Sequence, residues 1–372
     1  MAGHTASEVH RQAAELSRGV RGIVGPLKGY HHETYALPLP KENLLSAHYA
    51  RGKFRAPRPG VLWFDRRCFT SEDRLLVALQ GRIHRIPEIV EVGENVYLQG
   101  FIEGRTLGRW QLPGRSLSAR HVLQLRRLFR ELVTIKVDEL KDVPRTCDTD
   151  GQRPACDDDS AAFLSRLIDF TGQRVYDDNA ERYGRLFEEL GVRREALAGL
   201  GESARLLTSR PFTLIHGDLH RHNFIVDTAG DLWTIDWELA MIGDPLYDLA
   251  THLHLMRYSP REDARISELW AQEVEAARPG SSAAWQQDLP RLLAYKRTQS
   301  VFTDVIRTAE ALGPRTDPNW RALPRAAWKI RRALAAARDP LELESVPTLR
   351  QVVSAYTSWF RLPADRSASP RN

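Results

Sequence analysis

Leu214-Ile215-His216-Gly217-Asp218-Leu219-His220-Arg221-His222-Asn223-Phe224-Ile225-Val226 is the stretch that decides the reading, and Ile235-Asp236-Trp237-Glu238 completes it, with Asp236 thirteen positions after Asn223. Two apolar, strand-like runs bracket a polar loop. The loop holds Asp218 and Asn223 five positions apart, and a second apolar run delivers Asp236 at its end. Asn and Asp oxygens are hard ligands suited to magnesium. A further carboxylate beside them can orient or deprotonate a hydroxyl. Phosphoryl transfer needs these parts and little covalent chemistry. Singly, each residue reads as a polar group that satisfies a turn; together, in this order and spacing, they point to that chemistry.

Working outward, residues 27–103 carry short β-like runs, TYALPL, GKFRAP, PEIVEVG and NVYLQGFI. Between the second and third, SEDRLLVALQGRI has helical spacing at Leu75, Leu76 and Leu79. Thr70 or Ser71 is its candidate cap, with acidic residues in the first turn. Ahead of them, residues 5–22 read as a helix on the spacing of Val9, Ala13, Leu16 and Val20. From residue 105 helical patterns dominate, interrupted by the strand-like pieces at 213–237 around the turn TAGD. The stretch 143–159, rich in Asp with Pro and Gly, reads as an insertion or flap.

HGDLHRHN, followed by IDWE and then by Gly243-Asp244-Pro245-Leu246-Tyr247-Asp248-Leu249-Ala250, resembles the aminoglycoside phosphotransferase and choline kinase superfamily. In that superfamily H-G-D-x-x-x-x-N stands where protein kinases have H-R-D-x-x-x-x-N, and Asp-aromatic-Glu replaces D-F-G. The resemblance implies an α+β, two-lobed protein-kinase-like fold, with a small β-rich N-lobe and a larger, mainly helical C-lobe. The expected division is a helical extension at 1–24, a nucleotide-binding N-lobe at 25–103, a catalytic and acceptor-binding C-lobe at 104–362, and a disordered tail at 363–372. It implies ATP or GTP as donor with Mg2+, and a small-molecule hydroxyl as acceptor, such as an antibiotic or a natural-product intermediate. Asp218 would be the catalytic base, Asn223 and Asp236 the magnesium ligands, and His216 a structural brace. Asp244 and Asp248 would brace the loop and cap the next helix. Glu238 either lines the acceptor pocket or faces solvent.

The N-terminal half carries the resemblance more loosely. Gly29-Tyr30-His31-His32-Glu33-Thr34-Tyr35 stands where the nucleotide loop belongs, with a single glycine. His31, His32 or Thr34 either touch phosphate in its place or are turn residues. Glu72 is the acid expected to pair with a β3 cation. Lys53 and Arg55 alternate on one strand face, so both remain candidates for the phosphate-contacting cation, with the apolar-basic-x-Pro ending favouring Arg55. The hinge that reads the base falls in Leu98–Gly104, at Phe101 and Ile102, through backbone groups.

Composition narrows the alternatives. A net charge of +5 is a small excess over 53 basic and 48 acidic residues, spread over helices as solvated faces, so no nucleic-acid partner is expected. The polar N-terminus lacks the apolar core of a signal peptide, and no stretch approaches the roughly 18 apolar residues of a membrane span. A cytoplasmic protein with no membrane association is therefore expected. Three cysteines, Cys68, Cys147 and Cys156, argue against a disulfide framework. Two readings stand beside the small-molecule kinase: a kinase acting on Ser or Thr of a ribosomally made peptide, and a nucleotide-binding pseudokinase, which intact Asp218, Asn223 and Asp236 oppose.

Overall fold

A computed structural model of the chain describes residues 7–18, 22–110, 116–146 and 158–361. Cys147, Cys156 and most of the aspartate-rich stretch, like the tail at 363–372, lie outside the described residues. Two compact units are formed, one drawn from Met1–Trp63, Arg67–Asp157 and Arg210–Ser282, the other from Phe64–Arg66, Asp158–Ser209 and Ala283–Asn372.

The first unit opens with α1 (Glu8–Leu16), capped by the Ser7 hydroxyl, which accepts from the His10 N–H. The helix is shorter than the expected 5–22. Ser17 follows it, and Arg18 turns to the left-handed φ of 50°, which ends the helical ladder. Next come β1 (Val24–Leu27), β2 (His32–Pro38) and β3 (Arg51–Pro57), then α2 (Glu72–Leu79), β4 (Ile89–Gly93) and β5 (Val96–Gly100). The five strands form one antiparallel sheet in the order β1-β2-β3-β5-β4. The pattern gave no sign of β1. Its sequence, VGPL, is mostly exposed at the sheet edge, so it lacks the in-out alternation that reveals a half-buried strand.

The alternation of β3 sets up the site. Gly52 and Phe54 turn into a core with Ala13, Tyr35, Leu37, Leu45 and Leu98, which leaves Arg51, Lys53 and Arg55 on the opposite face. Each fully buried Leu in that core contributes about 1.5–3 kcal/mol. α2 starts at Ser71, not Thr70: the Ser71 hydroxyl accepts from the Arg74 N–H, and Leu75, Leu76 and Leu79 are buried below it. That seats Glu72 and Asp73 in the first turn.

After β5 the chain runs through β6 (Gly104–Thr106), α3 (Leu107–Trp110) and α4 (Ala119–Thr134). The second unit then takes α5 (Ser160–Phe170), α6 (Ala180–Glu189) and α7 (Ala196–Ala204). Returning to the first unit, β7 (Thr213–Ile215), β8 (Phe224–Asp227), β9 (Leu232–Thr234) and β10 (Met241–Gly243) make two small sheets, β10-β7 and β6-β8-β9. Helices α8 (Pro245–Met256) and α9 (Pro260–Ala277) follow, and α9 is tied to α4 where Arg126 and Arg130 share Glu273. The second unit is completed by α10 (Trp285–Ala311), α11 (Leu323–Ala336) and α12 (Leu349–Arg361); Tyr356 of α12 donates to the Val305 carbonyl of α10 at 3.0 Å. This is the expected α+β organisation, a small antiparallel sheet with a larger helical remainder. Among the described residues no helix is long and apolar enough to cross a membrane.

Candidate active site

The loop between β7 and β8 is held from below by α8. Asp248 accepts the backbone N–H groups of His216 and Gly217, each at 2.7 Å. Asp244 caps α8 by accepting the Leu246 N–H at 2.9 Å, and it forms a buried ion pair with Arg210, Nε to Oδ1 at 2.9 Å. Both aspartates therefore brace the loop, as the sequence suggested. Gly217 has φ +77°, and a Cβ there would stand 2.5 Å from the Leu239 carbonyl oxygen, so only glycine fits between His216 and Asp218.

His216 is fully buried. Its Nε2 bonds the Ile235 carbonyl at 3.2 Å, its Nδ1 accepts the Asp218 N–H at 3.3 Å, and its ring lies against Trp237. Burial drives its pKa down to about 4, so the ring stays neutral and joins the loop to the strand that carries Asp236. His252, one turn beyond Asp248, does the same from beneath. Its Nδ1 bonds the Leu219 carbonyl at 3.0 Å, its Nε2 the Tyr258 hydroxyl at 3.1 Å, and burial brings it to about 4 as well. Arg221 fixes the far side of the loop on the Met256 carbonyl.

On this frame Asn223 donates through Nδ2 to Asp218, to the carbonyl at 3.0 Å and to Oδ2 at 2.9 Å. Its own Oδ1 accepts no hydrogen bond among the described residues. His220 places Nε2 3.3 Å from the same Asp218 Oδ2. Because His220 Nδ1 accepts the His222 N–H at 3.0 Å, the Nε2 atom carries the proton and donates to Asp218. Thus Asp218 is oriented by two donors while a quarter of its side chain stays open to solvent.

Asp236 adopts a left-handed φ of 67° at the end of its strand. Its carboxylate stands with those of Glu72 and Glu238, with one oxygen from each lying within 4.8 Å of the others. Burial and then repulsion from Glu72 and Glu238 push Asp236 up to about 7, against the pull of Lys53 and Arg55. Glu238 lines the cleft and does not face open solvent: His31 Nδ1 lies 2.6 Å from its Oε1 and His32 Nδ1 3.2 Å from its Oε2. Burial alone would raise the Glu238 carboxyl, but these two histidines hold it far below the usual carboxylate range.

On β3, Arg55 makes the ion pair with Glu72, Nη1 to Oε2 at 2.5 Å, and reaches Asp73 at 3.6 Å. Lys53 makes no such pair. It is partly exposed to the cleft, and desolvation together with the charge of Arg55 lowers its pKa against the pull of Glu72, Asp236 and Asp73. At the hinge the Phe101 N–H is already bonded to the Arg51 carbonyl at 2.9 Å, which leaves Ile102 as the residue with a hinge N–H not used by the sheet. A cleft of about 910 Å³ gathers Lys53, Arg55, Phe101, Ile102, Asp218, Asn223 and Asp236, with His31, His32 and Thr34 on its wall. Glu72 does not line it and meets it through Arg55. His220, Arg221, His252 and Arg210 were not singled out from the sequence. Only the repeated histidines of HGDLHRH and the one-turn spacing from Asp248 to His252 hinted at them.

Comparison with solved structures finds similar chains. One is a thermostable mutant of aminoglycoside phosphotransferase APH(4)-Ia in ternary complex with ADP and hygromycin B, at 16% identity over 89% of this chain and 98% of that one, TM-score 0.48. Another is choline kinase from Cryptosporidium parvum Iowa II, at 12% identity over 95% and 99%, TM-score 0.48. A third is a choline/ethanolamine kinase family protein from Mesorhizobium loti, at 16% identity over 94% and 98%, TM-score 0.44. No curated protein matches the chain. The sequence model of the Phosphotransferase enzyme family, APH, matches residues 49–295, well over half the chain and the whole span from β3 to α10 that builds the catalytic loop. The chain belongs to the phosphotransferase enzyme family.

Proposed function

We propose that the protein transfers the γ-phosphoryl group of ATP or GTP, with magnesium, to a hydroxyl of a small molecule. The observation that carries this reading is the meeting of Asp218, Asn223 and Asp236 with the two cations Lys53 and Arg55 in one cleft. Asp218, held by Asn223 and His220, accepts the hydroxyl proton and keeps the acceptor oxygen aimed at phosphorus. Lys53 faces the phosphates, Arg55 beside it is committed to Glu72, and the Ile102 backbone faces the base.

The donor set fits a divalent cation. Asp236 is partly buried beside two further carboxylates and loses its proton only near pH 7, so its ionised form needs a positive partner. Asn223 commits only its Nδ2 to the protein and keeps its hard oxygen available. Magnesium bound by Asn223 and Asp236 would screen the charge of the phosphates. The chain's own residues do the rest: they exclude water, hold the phosphates against β3 and take the proton at Asp218.

The test is phosphoryl transfer from ATP and GTP with magnesium across antibiotics, amino alcohols, sugars and Ser/Thr peptides, with Asp218→Ala as control. Transfer to a small hydroxyl compound, lost in the variant, is the expected result. Transfer to peptides alone would replace the acceptor class, and failure to bind any nucleotide would overturn the reading.

A further inference from the structure

A second, smaller cavity of about 180 Å³ adjoins the nucleotide cleft and shares His31, His32 and Arg55 with it. Arg58, Trp63, Arg67 and the first residues of α2 close it. It is far larger than the ~30 Å³ a single water occupies in the liquid.

Its charge is unbalanced in a specific way. Three guanidinium groups, Arg55, Arg58 and Arg67, line it against two carboxylates, Glu72 and Asp73. Arg55 is committed to both carboxylates, at 2.5 Å from Glu72 and 3.6 Å from Asp73, and Gln99 Nε2 donates to Asp73 at 2.7 Å, while the Glu72 oxygens make no hydrogen bond among the described residues. Arg58 and Arg67 pair with no carboxylate among the described residues. Arg58 Nε donates to the His32 carbonyl at 3.1 Å and Arg67 Nη2 to the Thr70 carbonyl at 3.3 Å. A carbonyl accepts a hydrogen bond but carries no net charge, and the carboxylates that act on these two groups, Glu238 and Glu72 on Arg67 and Glu33 on Arg58, do so from beyond ion-pair distance.

Buried nitrogens around the same cavity also lack a protein partner. Arg55 Nε, Arg67 Nε and His31 Nε2 are shielded from solvent without a hydrogen bond, and the side chains of Arg55 and His31 are 7% and 8% exposed. Buried polar groups are almost always satisfied in native proteins, so three around one cavity point to an acceptor supplied from outside. The wall is rigid as well. His31 stacks on Trp63 at 3.7 Å and 11°, and the Arg67 guanidinium lies 4.3 Å over the same ring. Guanidinium groups fixed in this way present a planar fork suited to an oxyanion.

We propose that this cavity is a binding site for a small oxyanion of the phosphate type, held by Arg58 and Arg67 and by the Nε of Arg55, and separate from the seat of the nucleotide phosphates. The site does not depend on the transfer reaction, because Arg58, Trp63 and Arg67 line this cavity and not the nucleotide cleft.

Calorimetric titration of the full chain with inorganic phosphate, at fixed ionic strength and without nucleotide, tests it. Saturable one-site binding is expected in the wild type and in Lys53→Met, and should weaken by roughly tenfold or more in the double variant R58Q/R67Q, since hydrogen bonds to charged groups are lost. Thermal unfolding checks that the double variant folds, and R58Q alone, at a partly exposed position, gives the same answer on a gentler change. The absence of saturable binding in the wild type would overturn the proposal. So would binding that R58Q/R67Q leaves intact, or binding lost in Lys53→Met, which would put the phosphate in the nucleotide cleft.

Discussion

Arg55 and Glu72 form a buried ion pair across the gap between a strand and a helix, Nη1 to Oε2 at 2.5 Å, with 7% and 2% of their side chains exposed. The pair joins β3 to the first turn of α2. It also keeps the Glu72 carboxylate from standing uncompensated beside Asp236 and Glu238. Lys53, two positions back on the same strand face, is left without a fixed carboxylate. The two cations therefore divide the work: Arg55 holds α2 in place, and Lys53 is the charge available to a phosphate.

Arg55→Ala should cost stability, and Lys53→Met should not. Removing Arg55 strands a buried carboxylate, an effect of about 3 kcal/mol or more. The double variant Arg55→Ala/Glu72→Ala should recover part of that loss in urea unfolding. Lys53→Met removes an amine whose charge desolvation already disfavours, so stability should hold or rise while the Michaelis constant for nucleotide increases. A rise in that constant with Arg55→Ala alone, and none with Lys53→Met, would reverse the division.

Asp218→Ala should lower turnover by roughly 10²–10⁴-fold, the usual worth of a positioned acid–base group, with nucleotide affinity changed only a few-fold. Asp218→Asn should fare no better, since an amide cannot take the proton and its nitrogen would face the donors of Asn223 and His220. Equal loss of nucleotide binding and turnover would remove Asp218 from the acceptor side of the reaction.

What could be read in the chain beforehand followed the reach of local pattern. Asp218 and Asn223 lie in one loop and Asp236 just past β9 in the same segment, so spacing alone brought them together. The α2 helix was legible because Ser71, the acidic first turn and the Leu75-Leu76-Leu79 face all agree. A strand turns Lys53 and Arg55 to one face, and the sequence pattern favoured Arg55 for the phosphate; only the position of Glu72, which takes Arg55, points to Lys53 instead. The partner of His31 is Glu238, 207 positions away, so a pair of histidines in a turn gave no hint of the carboxylate they grip. β1 was missed because an exposed edge strand carries no apolar alternation.

Asp236→Asn should abolish magnesium-dependent nucleotide binding and yet stabilise the metal-free protein. The carboxyl titrates near 7 in the fold and near 4 unfolded, so between those values the native state holds the extra proton and stability falls as pH rises. Above pH 7 the variant should be more stable by on the order of 1 kcal/mol or more. His216 and His252 act with the opposite sign. Each titrates near 4 in the fold against 6.5 unfolded, so each contributes stability that is lost as pH falls from 6.5 to 4. In that window two protons favour the unfolded state and one, on Asp236, favours the native state. From these three groups the wild type should therefore lose stability on acidification with the slope of about one proton and Asp236→Asn with that of about two. Parallel slopes in urea unfolding across pH 4–6.5 would contradict the burial assigned to these groups.

Asp248→Asn tests whether the loop is positioned from α8. The carboxylate accepts two backbone N–H groups at 2.7 Å in a site closed to water. An amide of the same shape offers one oxygen and turns its own N–H₂ toward the second donor, leaving two buried donors opposed. Hydrogen bonds to a charged acceptor contribute about 1.5–3 kcal/mol each, so a loss of roughly 2–4 kcal/mol is expected in urea unfolding. A merely structural role would stop there. If the bonds also set the height of Asp218, turnover should fall in the folded variant at temperatures well below its unfolding, while the Michaelis constant for nucleotide stays near wild type. This is because Lys53 and the β3 face lie on the five-stranded sheet and Ile102 just after its β5 strand, outside the loop that Asp248 holds. A folded Asp248→Asn protein with wild-type turnover would show that His216, Trp237 and His252 suffice to hold the loop.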